Sequence, residues 1–253
     1  MNRGIYGAAA AMASNQEWLD VITHNLANVN TNGYKRDSIQ FSDWMDRTLN
    51  ANGGTGAFVG NLGSGPEAKS VQTVFQKGSL QPTENPFDMA ITTDRGLFAI
   101  AVPGANGQSA VKFTRDGSFT LNEQGQLVTR DGNAVLDDRL RPIFLEANAK
   151  PVVDGMGTIG PIAARPDQDQ SNVKIGVFDG TFKKQGDNLW VSSDAKPLQG
   201  VVMRQGFLES SNVNPVESMV QMIEVQRMFE LSNKMIQTQD ESSAKLIDAL
   251  RQS

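Results

Sequence analysis

The hydrophobic positions of this chain change period twice. From Ile5 to Val29 they recur in sevens: Ile5, Met12, Leu19 and Leu26 hold one heptad position, and Ala8, Asn15, Ile22 and Val29 hold another. A helix that lies along a partner helix shows that spacing. The small run Ala8 to Ala11 would let two backbones come close, and Asn15 on the seam would fix register at some cost in stability. The spacing returns at the other end, where Met222, Phe229, Ile236 and Leu250 share one heptad position and Val225 and Leu246 take the intermediate one. Ser232, Gln239 and Ser243 interrupt that second seam. An ordinary core helix also shows one such stripe, but two matched stripes at the two termini predict a pair.

The start of the second helix is well marked. Asn214 suits the N-cap, Pro215 the first helical position, and Glu217 stands three residues after the cap. A helix from Pro215 to Leu250 would be ~54 Å long, more than a compact domain of this size needs. It carries a second, shorter apolar face: Val216, Val220 and Ile223 are spaced i, i+4, i+7, and Val220 lies about 160° around the helix from Met222. One partner helix cannot cover both faces. The second face packs either on the chain's own β region or on a neighbouring molecule.

Between the stripes the period shortens. Asn30, Asn32 and Gly33 supply turn conformations that stop the first helix near Asn28 to Asn30. From Asp37 to Leu49 the apolar residues keep no clean period, and a short helix and an extended arm fit alike. Asn50 to Gly65 holds six glycines and three large apolar residues, too few to bury a packed unit, and reads as a linker or adaptable arm. From Val71 to Gly206 come short β-branched and aromatic runs between turns: VQTVF, MAITT, LFAIAV, VKFTR, SFTL, QLVT, VKIGVF and NLWVSS. Asp116-Gly117, Asp131-Gly132, Asp154-Gly155, Asp179-Gly180 and Asn106-Gly107 are hairpin dipeptides. The fold class is therefore α+β, with an all-β middle inserted between two long terminal helices that form a coiled-coil-like pair. The segments are 1–34 for the first helix, 35–70 for the arm, 71–206 for the β domain and 207–253 for the second helix.

Composition narrows the functions. A formal charge of -5, with no cluster of Lys and Arg, excludes a nucleic-acid footprint. With no cysteine there is no disulfide, thiolate metal site or thiol nucleophile. No run reaches the ~20 apolar residues that span a bilayer, and the first thirty residues lack the layout of a secretory signal. The expectation is a soluble chain with no membrane insertion.

Candidate chemistry fails residue by residue. His24 is the only histidine, so one chain can build neither a Ser-His-Asp triad nor a multi-histidine metal site. Gly155-Met-Gly157-Thr-Ile-Gly160 fits a dinucleotide fingerprint, but Pro161 and Ile162 replace the helix that would receive a pyrophosphate, so these read as hairpin glycines. Asp167-Gln-Asp169-Gln-Ser171 opens like a calcium loop, with Asn172 in place of the glycine and Phe178 in place of the glutamate. Asp137, Asp138 and Asp94 could serve as a glycosidase pair only if a cleft held two of them ~5 to 10 Å apart. The expectation is no catalytic, cofactor or metal site.

The stretch T-H-N-L-A-N-V-N-T-N-G-Y-K-R, Thr23 to Arg36, resembles the N-terminal signature of bacterial flagellar rod and hook proteins, which centres on N-L-A-N and a T-x-G-Y/F-K-R turn. The run Q-G-F-L-E-S-S-N-V-N-P-V-E-S-M-V-Q-M-I-E-V-Q-R-M-F-E, Gln205 to Glu230, continuing into M-I-Q-T-Q-D-E, Met235 to Glu241, resembles the other end of that family. N-P-F-D-M-A-I, R-G-L-F, F-T-R-D-G-S-F and G-Q-L-V-T extend the likeness through the middle. Glu84 stands where a glycine is common and His24 where an asparagine is common. The length, G-D-N-L-W (Gly186 to Trp190) and the N-P-V-E that follows S-N-V set the chain apart, within the family, from the distal rod member.

The resemblance implies a non-enzymatic structural subunit of the flagellar drive shaft, with no cofactor. It implies passage through the flagellar type III export apparatus without a cleaved signal peptide, and helical assembly in the periplasmic rod of the basal body. The partners implied are other copies of the chain and the proximal and distal rod subunits. The assembly residues implied are Asn25 and Asn28 of the N-L-A-N motif, with the seam residues Ile5, Met12, Leu19, Ile22, Leu26, Met222, Val225, Phe229, Ile236, Leu246 and Leu250 and the second face Val216, Val220 and Ile223. A distal-rod or hook-type axial protein is the first alternative. A β-rich enzyme with terminal dimerisation helices is the second, and an exported adhesin or cap protein the third. Interrupted seams further predict that the termini of a dilute monomer loosen and that a protease-resistant core remains within Val71 to Gly206.

Overall fold

The computed structural model describes residues 3–43, 47–50, 58–62, 66–104, 109–146, 150–162, 173–186 and 188–251. The calcium-like stretch 167–171, the Asn106-Gly107 turn and residues 51–57 and 63–65 of the glycine-rich arm lie outside them. The chain divides into two compact units: Met1–Ala27 with Asp37–Val74 and Asn214–Ser253, and Asn28–Arg36 with Phe75–Val213.

The first unit holds both long helices, α1 (Arg3–Ala27) and α2 (Pro215–Arg251). α1 stops at the N-x-N-T-N-G stretch. There Thr31 N donates to Asn28 O (3.2 Å) and Thr31 Oγ1 to Asn28 Oδ1 (3.1 Å), replacing the next helical turn. α2 starts where its cap places it: Asn214 Oδ1 accepts from Val216 N (3.1 Å) and Glu217 N (3.4 Å). The described residues that follow Arg36 are extended. Asp37–Asp43 pairs antiparallel with Pro66–Thr73, and Arg47–Asn50 pairs with Phe58–Leu62. The choice between helix and arm falls to strand because Ile39 and Phe41 alternate with Ser38 and Gln40, a period of two. Phe41 meets Trp18 of α1 edge to face at 5.6 Å.

The second unit is built on an antiparallel sheet. Its main path runs Lys183–Gly186, Leu189–Val191, Ser109–Thr114, Leu97–Pro103, Ala134–Val135, Leu127–Thr129, Phe119–Leu121, and Val177–Asp179 adds to Leu97–Pro103 and in turn pairs Lys196–Pro197. The central strand explains the double core. Successive side chains point to opposite faces, so Phe98 and Ile100 enter one cluster with Met89, Phe119, Leu127 and Ile143, while Leu97 and Ala99 enter another with Phe113, Phe178 and Trp190. A strand buried on both faces reads as an unbroken apolar run, as LFAIAV does. All eight strand-like runs of the sequence contain or overlap strands, and the Asp154-Gly155 turn joins Val152–Val153 to Ile159–Gly160, so the fingerprint glycines do lie in a hairpin.

Candidate assembly site

Burial along α2 follows one seam. Ser218 and Val225 are buried, and Met222, Phe229, Ser232, Ile236, Gln239 and Ser243 are half-buried, steps of three and four residues throughout. The serines that break the apolar pattern lie on this seam and stay satisfied within the helix. Ser218, Ser232 and Ser243 donate their hydroxyls to the carbonyls of Asn214, Met228 and Gln239, each at 2.9 Å. Leu246 and Leu250 lie on the described helix, but their side chains fall outside what is described.

On α1, Ile22 is buried and Ile5, Met12, Leu19 and Leu26 are half-buried. α1 touches α2 and also the strands Asp37–Asp43 and Pro66–Thr73. Leu19 and Phe229 line one cavity of about 330 Å³, together with Gln16, Gln226 and Glu230. The structure thus brings a residue of each sequence stripe together. Val216, Val220 and Ile223 are not covered: they are 68%, 52% and 51% exposed, with Met219 beside them at 52%. Further along α2, Met228, Leu231 and Met235 are exposed as well. That much apolar surface on one helix is out of proportion to an ordinary solvent face.

The motif asparagines have distinct tasks. Asn25 is buried and grips one residue from both sides: Nδ2 donates to Asp37 O and Oδ1 accepts from Asp37 N, both at 2.8 Å. It thereby staples the strand that follows the turn to the end of α1. Asn28 nucleates the turn, as described above.

The residues between these anchors lead to a group that the sequence did not single out. Lys35, Arg115 and Glu209 are buried together, with side chains 0%, 1% and 1% exposed. Lys35 Nζ donates to Glu209 Oε1 (2.5 Å) and Gln76 O (2.9 Å), and Arg115 Nε donates to Glu209 Oε2 (2.6 Å). The rest of the guanidinium goes to the carbonyls of Gly96, Ile91 and Thr93, and Gly78 N donates to Glu209 Oε1. Two cations and one anion leave an excess positive charge, which those carbonyls solvate in place of water. Burial alone would raise the Glu209 carboxyl, but Arg115 and Lys35 outweigh it and hold it below the ordinary glutamate value. Burial pushes the Lys35 ammonium below the usual lysine value against the pull of Glu209. Gly33 is pressed against this group in a left-handed conformation (φ 67°), where a Cβ would stand 2.5 Å from the Arg115 carbonyl carbon. The available signal was that each of the three charges sits inside a motif, K-R, F-T-R-D-G and F-L-E-S-S-N.

The carboxylates weighed for hydrolysis are engaged separately. Asp137 is buried and committed to Arg141 (2.9 Å) and to the amides of Arg139 and Arg141, and exposed Asp94 pairs with Lys77 at 3.9 Å. Among the described residues no three His, Cys, Asp or Glu gather as a metal site would require, and no helix is long and apolar enough to cross a membrane.

Three family profiles match the chain at the segments carrying these features. One described as flagella basal body rod protein matches residues 5–35, one described as flagellar hook protein FlgE/F/G D1 domain matches 91–160, and one described as flagellar basal body rod FlgEFG protein C-terminal matches 204–249. The flagellar basal-body rod protein FlgG of Buchnera aphidicola subsp. Schizaphis graminum is 32% identical over 90% of this chain and 92% of its own length. FlgG of Bacillus subtilis is 31% identical over 99% of this chain and 100% of its own, and the rod protein FlgF of Caulobacter vibrioides is 30% identical over 99% and 98%. Relatives named FlgG and FlgF match this chain at similar identity. With matches at both termini and in the middle, the chain belongs to the flagellar basal body rod FlgEFG family.

Proposed function

We propose that this chain is a structural subunit of the flagellar basal-body rod, assembling with other rod proteins through its terminal helices. The family consists of structural rod proteins, which are not enzymes. The observation that carries the reading is the uncovered apolar surface of α2 opposite its buried seam. In this account α1 and α2 pair as a coiled coil along Ile5, Met12, Leu19, Ile22 and Leu26 on one side and Met222, Val225, Phe229 and Ile236 on the other, continuing to Leu246 and Leu250. Val216, Val220 and Ile223 then meet neighbouring subunits. Residues 1–34 and 207–253 form the assembly domain, 35–70 an arm and 71–206 the outer β domain. The chain reaches a periplasmic position in the rod through the flagellar type III export apparatus.

A second reading, a distal rod subunit, is favoured by the FlgG relatives that match at the same level. Both readings predict that the purified chain associates as its concentration rises and that removing both helices abolishes association. Incorporation into basal bodies at the proximal or the distal rod, located by labelling the chain, separates the two. A chain that stays monomeric at all concentrations and is absent from isolated basal bodies would contradict both.

A further inference from the structure

The seam between α1 and α2 is a poor ruler. Ala8, Ser232, Gln239 and Ser243 occupy it, and such small or serine- and glutamine-bearing positions gain little from one offset over another a heptad away, which leaves Asn15 as the one polar seam residue that favours a register. The segments that leave α1 and enter α2 are held far more definitely. Gly33 N donates to Glu209 O (2.7 Å), Asn212 N to Tyr34 O (3.3 Å) and Arg36 N to Asn212 Oδ1 (2.7 Å). Lys35, Glu209 and Arg115 lock the same two segments from inside.

Little slack separates this clasp from either helix. Asn212 is three residues before Pro215, the first residue of α2. After Ala27 the path is taken up by two successive turns, Thr31 N to Asn28 O and Tyr34 N to Thr31 O, each spanning less than ~7 Å. A slip of one heptad would need ~10 Å of free chain.

We propose that the buried Lys35–Glu209–Arg115 clasp is the register stop of the terminal helices: it fixes the offset at which α1 meets α2, and so which faces of α2 stay exposed to neighbours. This rests on the pairing of α1 with α2. The three charges of the clasp come from stretches that only the folded second unit brings together.

The chain has no cysteine, so introduced thiol pairs report one distance each. Leu19→Cys with Phe229→Cys probes the native offset, and Leu19→Cys with Ile236→Cys probes a slip of one heptad. Both pairs are oxidised in dilute monomer, in the parent, in Glu209→Gln and in Asn212→Ala, which leaves the three charges paired. In the parent the native pair forms at least about tenfold faster than the slipped pair, the level a ~1.4 kcal/mol register preference gives. In Glu209→Gln the ratio falls toward one while the far-ultraviolet helical signal persists, and Asn212→Ala gives a smaller fall, about threefold. A ratio unchanged in both variants, or one that falls only as the helical signal is lost, overturns the proposal. If the parent forms neither disulfide, the pairing itself fails, which is a different result.

Discussion

The two units of this chain keep their apolar residues in opposite ways. In the second unit the central strand Leu97–Pro103 buries Leu97, Phe98, Ala99 and Ile100 almost completely, and the sheet has an apolar cluster on each side. In the first unit α2 runs for 37 residues, yet Val225 is its only buried hydrophobic residue among the described side chains. One unit closes its own core. The other leaves much of its apolar surface uncovered, as a part does when other molecules supply the remaining contacts. Charge follows the same division: the buried ion cluster lies in the β unit, where three chain segments must meet, and α2 uses neutral serines on its seam.

Substitutions can break this comparison, beginning with the largest effect. Phe98→Ala should cost about 3–5 kcal/mol in equilibrium unfolding of the second unit, because a fully buried ring leaves a cavity that two packed faces cannot close. Glu209→Gln should cost about as much, ~3–5 kcal/mol, by leaving two buried cations without their anion. This variant also tests pH dependence. Glu209 is held below its ordinary value in the folded state, so its contribution is fully present above that value and is lost as pH falls through the depressed one. Urea midpoints followed from neutral to acid pH should drop more steeply in the parent than in Glu209→Gln; parallel curves would remove the ion cluster from the account.

The same truncation in the first unit should do less. Phe229 is half-buried, so Phe229→Ala should cost about 1–2 kcal/mol in the dilute monomer. A loss equal to that of Phe98→Ala would erase the contrast between the units. The smallest effect is a gain: Glu84 adopts a left-handed conformation (φ 58°), and Glu84→Gly should raise thermal stability by roughly 0.5–1 kcal/mol. Limited proteolysis sharpens the boundary. The resistant core of the monomer should retain the peptide Asn28–Arg36 with Phe75–Val213 even after α1 is cut away, because Lys35 and Gly33 are bonded within that unit.

Both long helices were legible in the sequence because their signals are long and redundant. Asn214, Pro215 and the seven-residue spacing place α2 within a residue of its observed start. The central strands were legible as apolar runs. The strands that escaped, among them Lys183–Gly186, Lys196–Pro197 and Met203–Gln205, are two to four residues long and carry charges or proline, so their pairing comes from neighbours and not from their own pattern. The ion cluster escaped for a related reason. A lysine after a turn reads as solvated, and nothing local to Lys35 announces a carboxylate 174 positions away. The exposed state of Val216, Val220 and Ile223 could be framed in advance only as a choice between two partners, since periodicity says which residues share a face and not what covers it.

The most direct test of that uncovered face is Val220→Glu, examined by sedimentation over a wide range of protein concentration. Val220 is 52% exposed, so the monomer should unfold within about 0.5 kcal/mol of the parent. At a subunit contact the same carboxylate would be buried without a partner and cost several kcal/mol. The variant should fold and stay monomeric at concentrations where the parent associates. A variant that associates like the parent would show that this face of α2 is not where neighbouring subunits meet.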